Sequence, residues 1–211
     1  MAEEKARISS AMNARDADGW TALHQRAYAG DVQCVRALVA GRDPEFLNLL
    51  TPAPHQRTAL YLAAVQGHHE TVQALIDASA SVECRVAPGS WTPLLAAVSN
   101  GNYQVVKALL GAGAQKDQTT NDPSGLGDES GVTALIIAFL ARPKGLINIK
   151  MIKLLIEAGG ADIDAVTYTG RTALYFAVQG RCLPACQALL AAGASPTCNA
   201  KYNIVRMGGL V

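Results

Sequence analysis

Apolar and polar positions along the chain form a pattern that returns five times. Each copy opens on a Thr-[Ala/Pro]-Leu phrase: Thr21-Ala22-Leu23-His24, Thr58-Ala59-Leu60-Tyr61, Thr92-Pro93-Leu94-Leu95, Thr133-Ala134-Leu135-Ile136 and Thr172-Ala173-Leu174-Tyr175. The threonines are 37, 34, 41 and 39 residues apart. In most copies a glycine follows the inner segment, then an apolar run, then a small-residue stop. The second copy reads Gly67-His68, Val72, Leu75-Ile76 and Ser79-Ala80. The third reads Gly101, Val105-Val106, Leu109-Leu110 and Gly113-Ala114, and the fifth Cys186, Leu189-Leu190 and Gly193-Ala194. Each copy therefore predicts helix, turn, helix, stop, and the fold class is all-α. A period in this range marks stacked supersecondary units that bury a core between neighbours, not one globular core.

The residue types have physical reasons. A Thr at the helix start caps free backbone N–H groups with its hydroxyl. Pro93 suits the first helical position, where its missing N–H costs nothing. Leu23, Leu60, Leu94, Leu135 and Leu174 each enter the core, and Ala63-Ala64 and Ala96-Ala97 let the next helix approach closely. Gly30, Gly67 and Gly101 are expected to end the first helix of their copies, where a positive φ is cheap only for glycine.

On these residues the chain resembles the ankyrin repeat family. The first copy follows that family's opening through Asn13-Ala14, Asp16, Gly19, Thr21, Leu23-His24, Ala27 and Gly30. The fifth follows it through Asp162-Ile163-Asp164-Ala165, Gly170 and Thr172-Ala173-Leu174. The resemblance covers residues 13–196 in five registered copies. It implies an ankyrin-repeat solenoid of stacked helix-turn-helix units, with β-hairpin-like connecting loops projecting sideways. Residues 1–12 are expected to form a short amphipathic capping helix with Ile8, Ala11 and Met12 on one side. Residues 197–211 are expected to be a weakly ordered tail or a truncated sixth repeat, leaving an apolar flank on the last full one.

Half of the residues are hydrophobic but only 5% aromatic, as expected when small residues pack helices. A net charge of +1 argues against a basic nucleic-acid surface or a polybasic membrane anchor. No apolar run approaches the ~20 residues that span a bilayer. Met1-Ala2-Glu3-Glu4 is unlike the start of a signal peptide. The expected compartment is intracellular, cytoplasmic or nuclear, and the five cysteines read as reduced thiols, with Cys34 and Cys186 partly packed. Cys182 and Cys186 are four apart, but a metal would need two more ligands and no nearby His or Cys pair has the spacing. His68-His69-Glu70 is metal-like in isolation, yet His68 stands where ankyrin repeats place a structural His. No cofactor or metal is expected.

Differences between copies are where an interaction scaffold stores specificity. The residue before each Thr is Trp20, Arg57, Trp91, Val132 and Arg171, a column that the resemblance points toward the concave side. Aromatic and Arg side chains suit interface anchors; they also pack on neighbouring hairpins, and both readings stand. Residues 114–131 hold a polar, Pro- and Gly-rich insertion, read as an extended finger or mobile loop carrying Asp122, Asp128 and Glu129. The acids there do not have the spacing of an EF-hand loop. In the fourth copy Arg142-Pro143-Lys144-Gly145 replaces the helix-ending glycine with a longer basic turn.

The leading function is a non-catalytic scaffold or adaptor, expected to be a monomer. It would bind a protein partner, with no nucleic acid and no membrane insertion, through the concave groove and hairpin tips. The candidate contacts carried over from the family's variable positions are Arg15, Asp18, Trp20, Tyr28, Arg57, Gln66, Trp91, Asn100, Tyr168 and Arg171. The alternative is a substrate-recruiting fragment of a larger enzyme or ubiquitin-ligase subunit, although no ligase-recruiting box is recognisable after Ser195. A catalytic reading would need a Cys–His pair such as Cys84 with His55, and no nucleophile-elbow, P-loop or metal-hydrolase pattern occurs. A third possibility is an inhibitory partner that caps another protein's functional face.

Overall fold

The computed structural model describes residues 14–86, 89–120, 131–141 and 147–196. The expected capping helix 1–12, the acids Asp122, Asp128 and Glu129 of the insertion, the turn Arg142-Pro143-Lys144-Gly145 and the tail 197–211 lie outside the described residues. Five inner helices follow the five threonines: α1 (Ala22–Ala29), α4 (Ala59–Gln66), α6 (Pro93–Ser99), α8 (Ala134–Leu140) and α10 (Ala173–Gln179). Five outer helices answer them: α2 (Val32–Val39), α5 (His69–Asp77), α7 (Tyr103–Gly111), α9 (Ile149–Glu157) and α11 (Leu183–Ala191). A short α3 (Pro44–Leu47) stands between the first two units. Each inner helix packs on the next inner helix, each outer helix on the next outer one, and the pairs stack into a solenoid.

The threonines cap as their chemistry requires. The hydroxyls of Thr21, Thr58, Thr92 and Thr172 accept the N–H three residues on, at 3.4, 3.2, 3.2 and 3.3 Å. Thr133 departs from this: it caps nothing, and its buried hydroxyl has no hydrogen-bond partner. Such an orphan costs about 1–3 kcal/mol, so the fourth unit, already the most divergent, is also the least well capped. At the other end Gly30 (φ 75°) and Gly67 (φ 81°) close α1 and α4 in the left-handed conformation. The third unit corrects the expectation for Gly101. Asn100 caps α6 in a right-handed conformation, its amide donating to the Ala96 carbonyl at 2.9 Å, and the left-handed residue Gly101 follows it.

The α3 helix was not expected. Its signal was present in Asp43-Pro44: Asp43 accepts the Phe46 N–H at 2.9 Å and Pro44 sits in the first helical position. Phe46 and Leu47 then enter the core.

The loops before the inner helices close on isolated antiparallel bridges, Arg15–Thr21, Val86–Trp91, Thr120–Val132 and Val166–Thr172. In the second unit Thr51 takes this role, its N–H donating to the Arg57 carbonyl and its hydroxyl accepting the Arg57 N–H, both at 2.9 Å.

Two sets of polar links tie unit to unit. His68 Nε2 lies 3.0 Å from the Tyr28 carbonyl, and one repeat later the Asn102 amide donates to Ala64 and Val65 carbonyls at 2.9 and 3.0 Å. Both hooks reach carbonyls at the end of the preceding inner helix, where the backbone runs out of intrahelical donors; that of Ala64 also accepts the Gly67 N–H at 3.3 Å. The structural role expected for His68 is therefore present. A second ladder runs along the loops. The side chains of Asn48, Glu83, Asp117 and Asp164 accept the backbone N–H of Ser81, Gln115, Asp162 and Ser195 in the following unit, at 2.7–2.9 Å.

His24 belongs to both the cap and the core. Its Nδ1 accepts the Thr21 N–H at 3.2 Å, which leaves the proton on Nε2 to donate to the Leu49 carbonyl at 2.9 Å. Burial pulls its pKa below the ordinary 6.5, partly offset by the bond to Leu49.

Two predictions follow from this packing. A Cβ on Gly30 would lie 2.6 Å from His68 Nδ1 at a φ of +75°, whereas Gly113 has φ +86° and open space. Gly30→Ala should cost about 2–3 kcal/mol and Gly113→Ala only about 1 kcal/mol by urea denaturation, the difference measuring the unit-to-unit contact. For His24 the folded state disfavours the proton. Its contribution is whole above 6.5 and is lost as pH falls below that value, with a limiting slope of about 1.4 kcal/mol per pH unit. His24→Gln should lower stability at about pH 7.5 and remove this part of the decline toward about pH 5.5; an unchanged slope would place the acid sensitivity elsewhere.

Candidate partner-binding surface

Four side chains of the column before the threonines lie half-buried over the third residue of their own inner helix or beside a neighbour's ring. Trp20 meets the His24 ring edge-on at 6.4 Å and the Tyr28 ring at 5.6 Å and 80°. The Arg57 guanidinium lies 5.9 Å from the Tyr61 ring centre and the Arg171 guanidinium 5.3 Å from that of Tyr175. Trp91 packs against Tyr61, Val86 and Ala96, with Val65 alongside. It thus crosses from the third unit onto the second, while the Val86 N–H donates to its carbonyl at 2.8 Å. Val132 is fully buried and takes no part in the surface. The packing reading of this column thus has direct contacts behind it, and the half-exposed faces of the same side chains remain toward solvent.

The other candidates divide by what already holds them. The Arg15 guanidinium donates to the Gly19 carbonyl at 2.7 Å and the Leu50 carbonyl at 2.9 Å, so it staples the first loop to the second unit. Asp18 is exposed at the loop tip, beside Asp16, which accepts the N–H groups of Asp18 and Trp20 at 3.0 and 2.7 Å and the Gln25 amide. These bonds, that to the Trp20 N–H foremost, hold the Asp16 carboxyl below its ordinary pKa. Tyr28 is exposed beyond Trp20, and Gln66 and Asn100 are exposed at the ends of α4 and α6. Tyr168 is 73% exposed, and its ring covers Gly131, where a Cβ would lie 2.7 Å from ring carbons. The surface is therefore a line of aromatic and Arg side chains along the inner helices, flanked by amides and tyrosines.

Of the ladder and hook residues, Asn48, Glu83, Asp117 and Asn102 were not singled out from the sequence, and Asp164 was named only as part of the family resemblance of the fifth copy. Their positions after each small-residue stop, or after each turn glycine, were the available signal.

Cys34 and Cys84 are shifted away from nucleophilic chemistry. Cys34, Cys84, Cys182 and Cys186 are free. Burial pushes the Cys84 thiol up, and the side-chain bond to Asp31 pushes up that of Cys34. Both shifts oppose the thiolate a nucleophile needs. Among the described residues no three His, Cys, Asp or Glu side chains gather as metal ligands would, and no helix is long and apolar enough to cross a membrane.

Comparison with known proteins agrees with this geometry. The family model for ankyrin repeats in three copies matches residues 5–86, 41–122 and 120–200. The crystal structure of the ankyrin repeat domain of Bcl-3, described as a unique member of the IkappaB protein family, superposes with a TM-score of 0.72 at 26% identity. That match covers 92% of this chain and 78% of the other. An ankyrin repeat domain from Acinetobacter baumannii AYE superposes with a TM-score of 0.74 at 25% identity over 92% of this chain and 93% of the other. Ankyrin repeat and SOCS box protein 2 of Bos taurus is 38% identical over 63 residues, 30% of this chain. The chain spans only 10% of that relative's length. Ankyrin repeats are protein–protein interaction modules, typically without catalysis, and with a match running from residue 5 to residue 200 this chain belongs to the ankyrin repeat family.

Proposed function

We propose that this chain is a non-catalytic scaffold or adaptor, an intracellular monomer that binds a protein partner along the groove of its inner helices and hairpin tips. The observation that carries the reading is the fixed line of Trp20, Arg57, Trp91 and Arg171, each held by a ring or a neighbouring unit before any partner arrives. Large side chains that are already ordered lose little entropy on docking, which is how a rigid surface gains affinity. Aromatic and Arg residues are also the types that concentrate binding energy at interfaces. Tyr28, Gln66, Asn100, Asp18 and Tyr168 border this line and supply its polar rim. Arg15 contributes by fixing the first loop.

The test uses residues whose loss spares the core. Tyr28→Ala, Gln66→Ala and Tyr168→Ala are combined and compared with an outer-face control, Gln33→Ala with Lys107→Ala, all exposed positions. Capture from native lysate with quantitative mass spectrometry should show a partner whose affinity falls at least about tenfold in the inner-face variant and is unchanged in the control. Both variants should keep the helical signal and melting of the parent. A partner retained by the inner-face variant and lost by the control would move the site to the outer helices and overturn the proposal.

A further inference from the structure

One device in the surface column is built twice. The pentapeptide Arg-Thr-Ala-Leu-Tyr stands at residues 57–61 and again at residues 171–175. Both copies are mounted alike. The Arg57 N–H donates to the Thr51 hydroxyl, and the Arg57 carbonyl accepts the Thr51 N–H, both at 2.9 Å. The Arg171 N–H donates to the Thr167 hydroxyl at 3.2 Å, and its carbonyl accepts the Thr167 N–H at 3.0 Å. Both arginines are half-buried, and each guanidinium lies over the tyrosine ring that ends its pentapeptide. A guanidinium laid on a ring keeps its N–H donors in its own plane, where a carboxylate can take two at once.

The inner helices from one arginine to the other are neutral. Helices α4, α6, α8 and α10 carry no charged residue. The exposed polar groups at the ends of α4 and α6 are the amides of Gln66 and Asn100. From Arg57 onward the acids among the described residues stand elsewhere. Glu70, Asp77 and Glu157 lie on outer helices. Glu83, Asp117, Asp162 and Asp164 lie in the loops of the unit-to-unit ladder, each accepting a backbone N–H. The groove therefore turns two mounted cations toward a partner, with no inner-helix carboxylate beside them.

We propose, resting on the scaffold reading above, that the partner in this groove is an acidic protein segment. It presents one carboxylate group to Arg57, another to Arg171, and a neutral middle to Trp91. Packed helices lie about 8–10 Å apart, so the three steps from the second unit to the fifth separate the arginines by roughly 24–30 Å. An extended chain covers that distance in about eight or nine residues.

The full chain is used to select peptides from a random library of about 16 residues, long enough to reach both arginines. The peptides retained should be enriched in Asp and Glu at two places about eight or nine residues apart. In fluorescence anisotropy, Arg57→Gln and Arg171→Gln should each weaken the best peptide at least about tenfold. Exchanging the peptide's own acids for Asn and Gln should do the same with the protein untouched. Peptides that occupy the groove are recognised by their loss in the combined Tyr28→Ala, Gln66→Ala and Tyr168→Ala variant. Groove-bound peptides without paired acids, or acidic ones indifferent to both arginine changes, would overturn the acidic partner and leave the scaffold reading standing. If every peptide keeps its affinity in the inner-face variant, the groove itself is not the site and both readings fall. A random single strand of DNA of about 20 nucleotides that binds more tightly than any selected peptide would give the arginines to phosphate instead, and overturn the proposal.

Discussion

No unit of this stack can bury its own apolar surface, and the rest of the structure follows from that constraint. Each helix pair carries apolar residues on both sides and closes them only against its neighbours. The close approach this needs is permitted by Ala63, Ala97, Ala138 and Ala177, buried at one position of four successive inner helices. A larger side chain there would separate the inner column and open the leucine layer that includes Leu60, Leu94, Leu135 and Leu174. Where nothing described packs on the stack, at the first unit, the same position is Arg26, whose charged head stays in water.

Apolar contact alone would allow adjacent units to slide. Register comes from the polar links, which are directional. His68 and Asn102 reach back to carbonyls at the ends of α1 and α4, and Asn48, Glu83, Asp117 and Asp164 reach forward to one backbone N–H each. Each bond adds about 0.5–1.5 kcal/mol net, more where the acceptor is charged. Their larger effect is to fix where each hairpin leaves the stack, and so where the next Trp or Arg of the surface column stands.

The candidate surface inherits this order. Trp20, Arg57 and Arg171 rest on residues of their own units, and Trp91 rests partly on the unit before. A side chain can therefore be structural on one face and exposed on the other, so the packing of this column leaves one face of each side chain toward solvent. Val132 shows the opposite limit. It stands in the same column but is buried, so column membership by itself does not place a residue on the surface.

The sequence alone determined the number of units, the starts of the five inner helices, the ends of α1 and α4 at Gly30 and Gly67, and the buried leucines. Each depends on chemistry within a few residues: a Thr hydroxyl three residues from the N–H it caps, a glycine at the φ that ends a helix, a leucine repeated at a fixed offset. Tertiary structure decided the rest. Asn100 rather than Gly101 closes α6, Thr133 is left unpaired, Arg15 staples two units, and His68, Asn102 and Asp164 each find a group 31–40 residues away. A side chain's identity states that it needs a partner. Which carbonyl or N–H meets it is set only when the stack brings two distant loops together, because the distance and angle of a hydrogen bond depend on both.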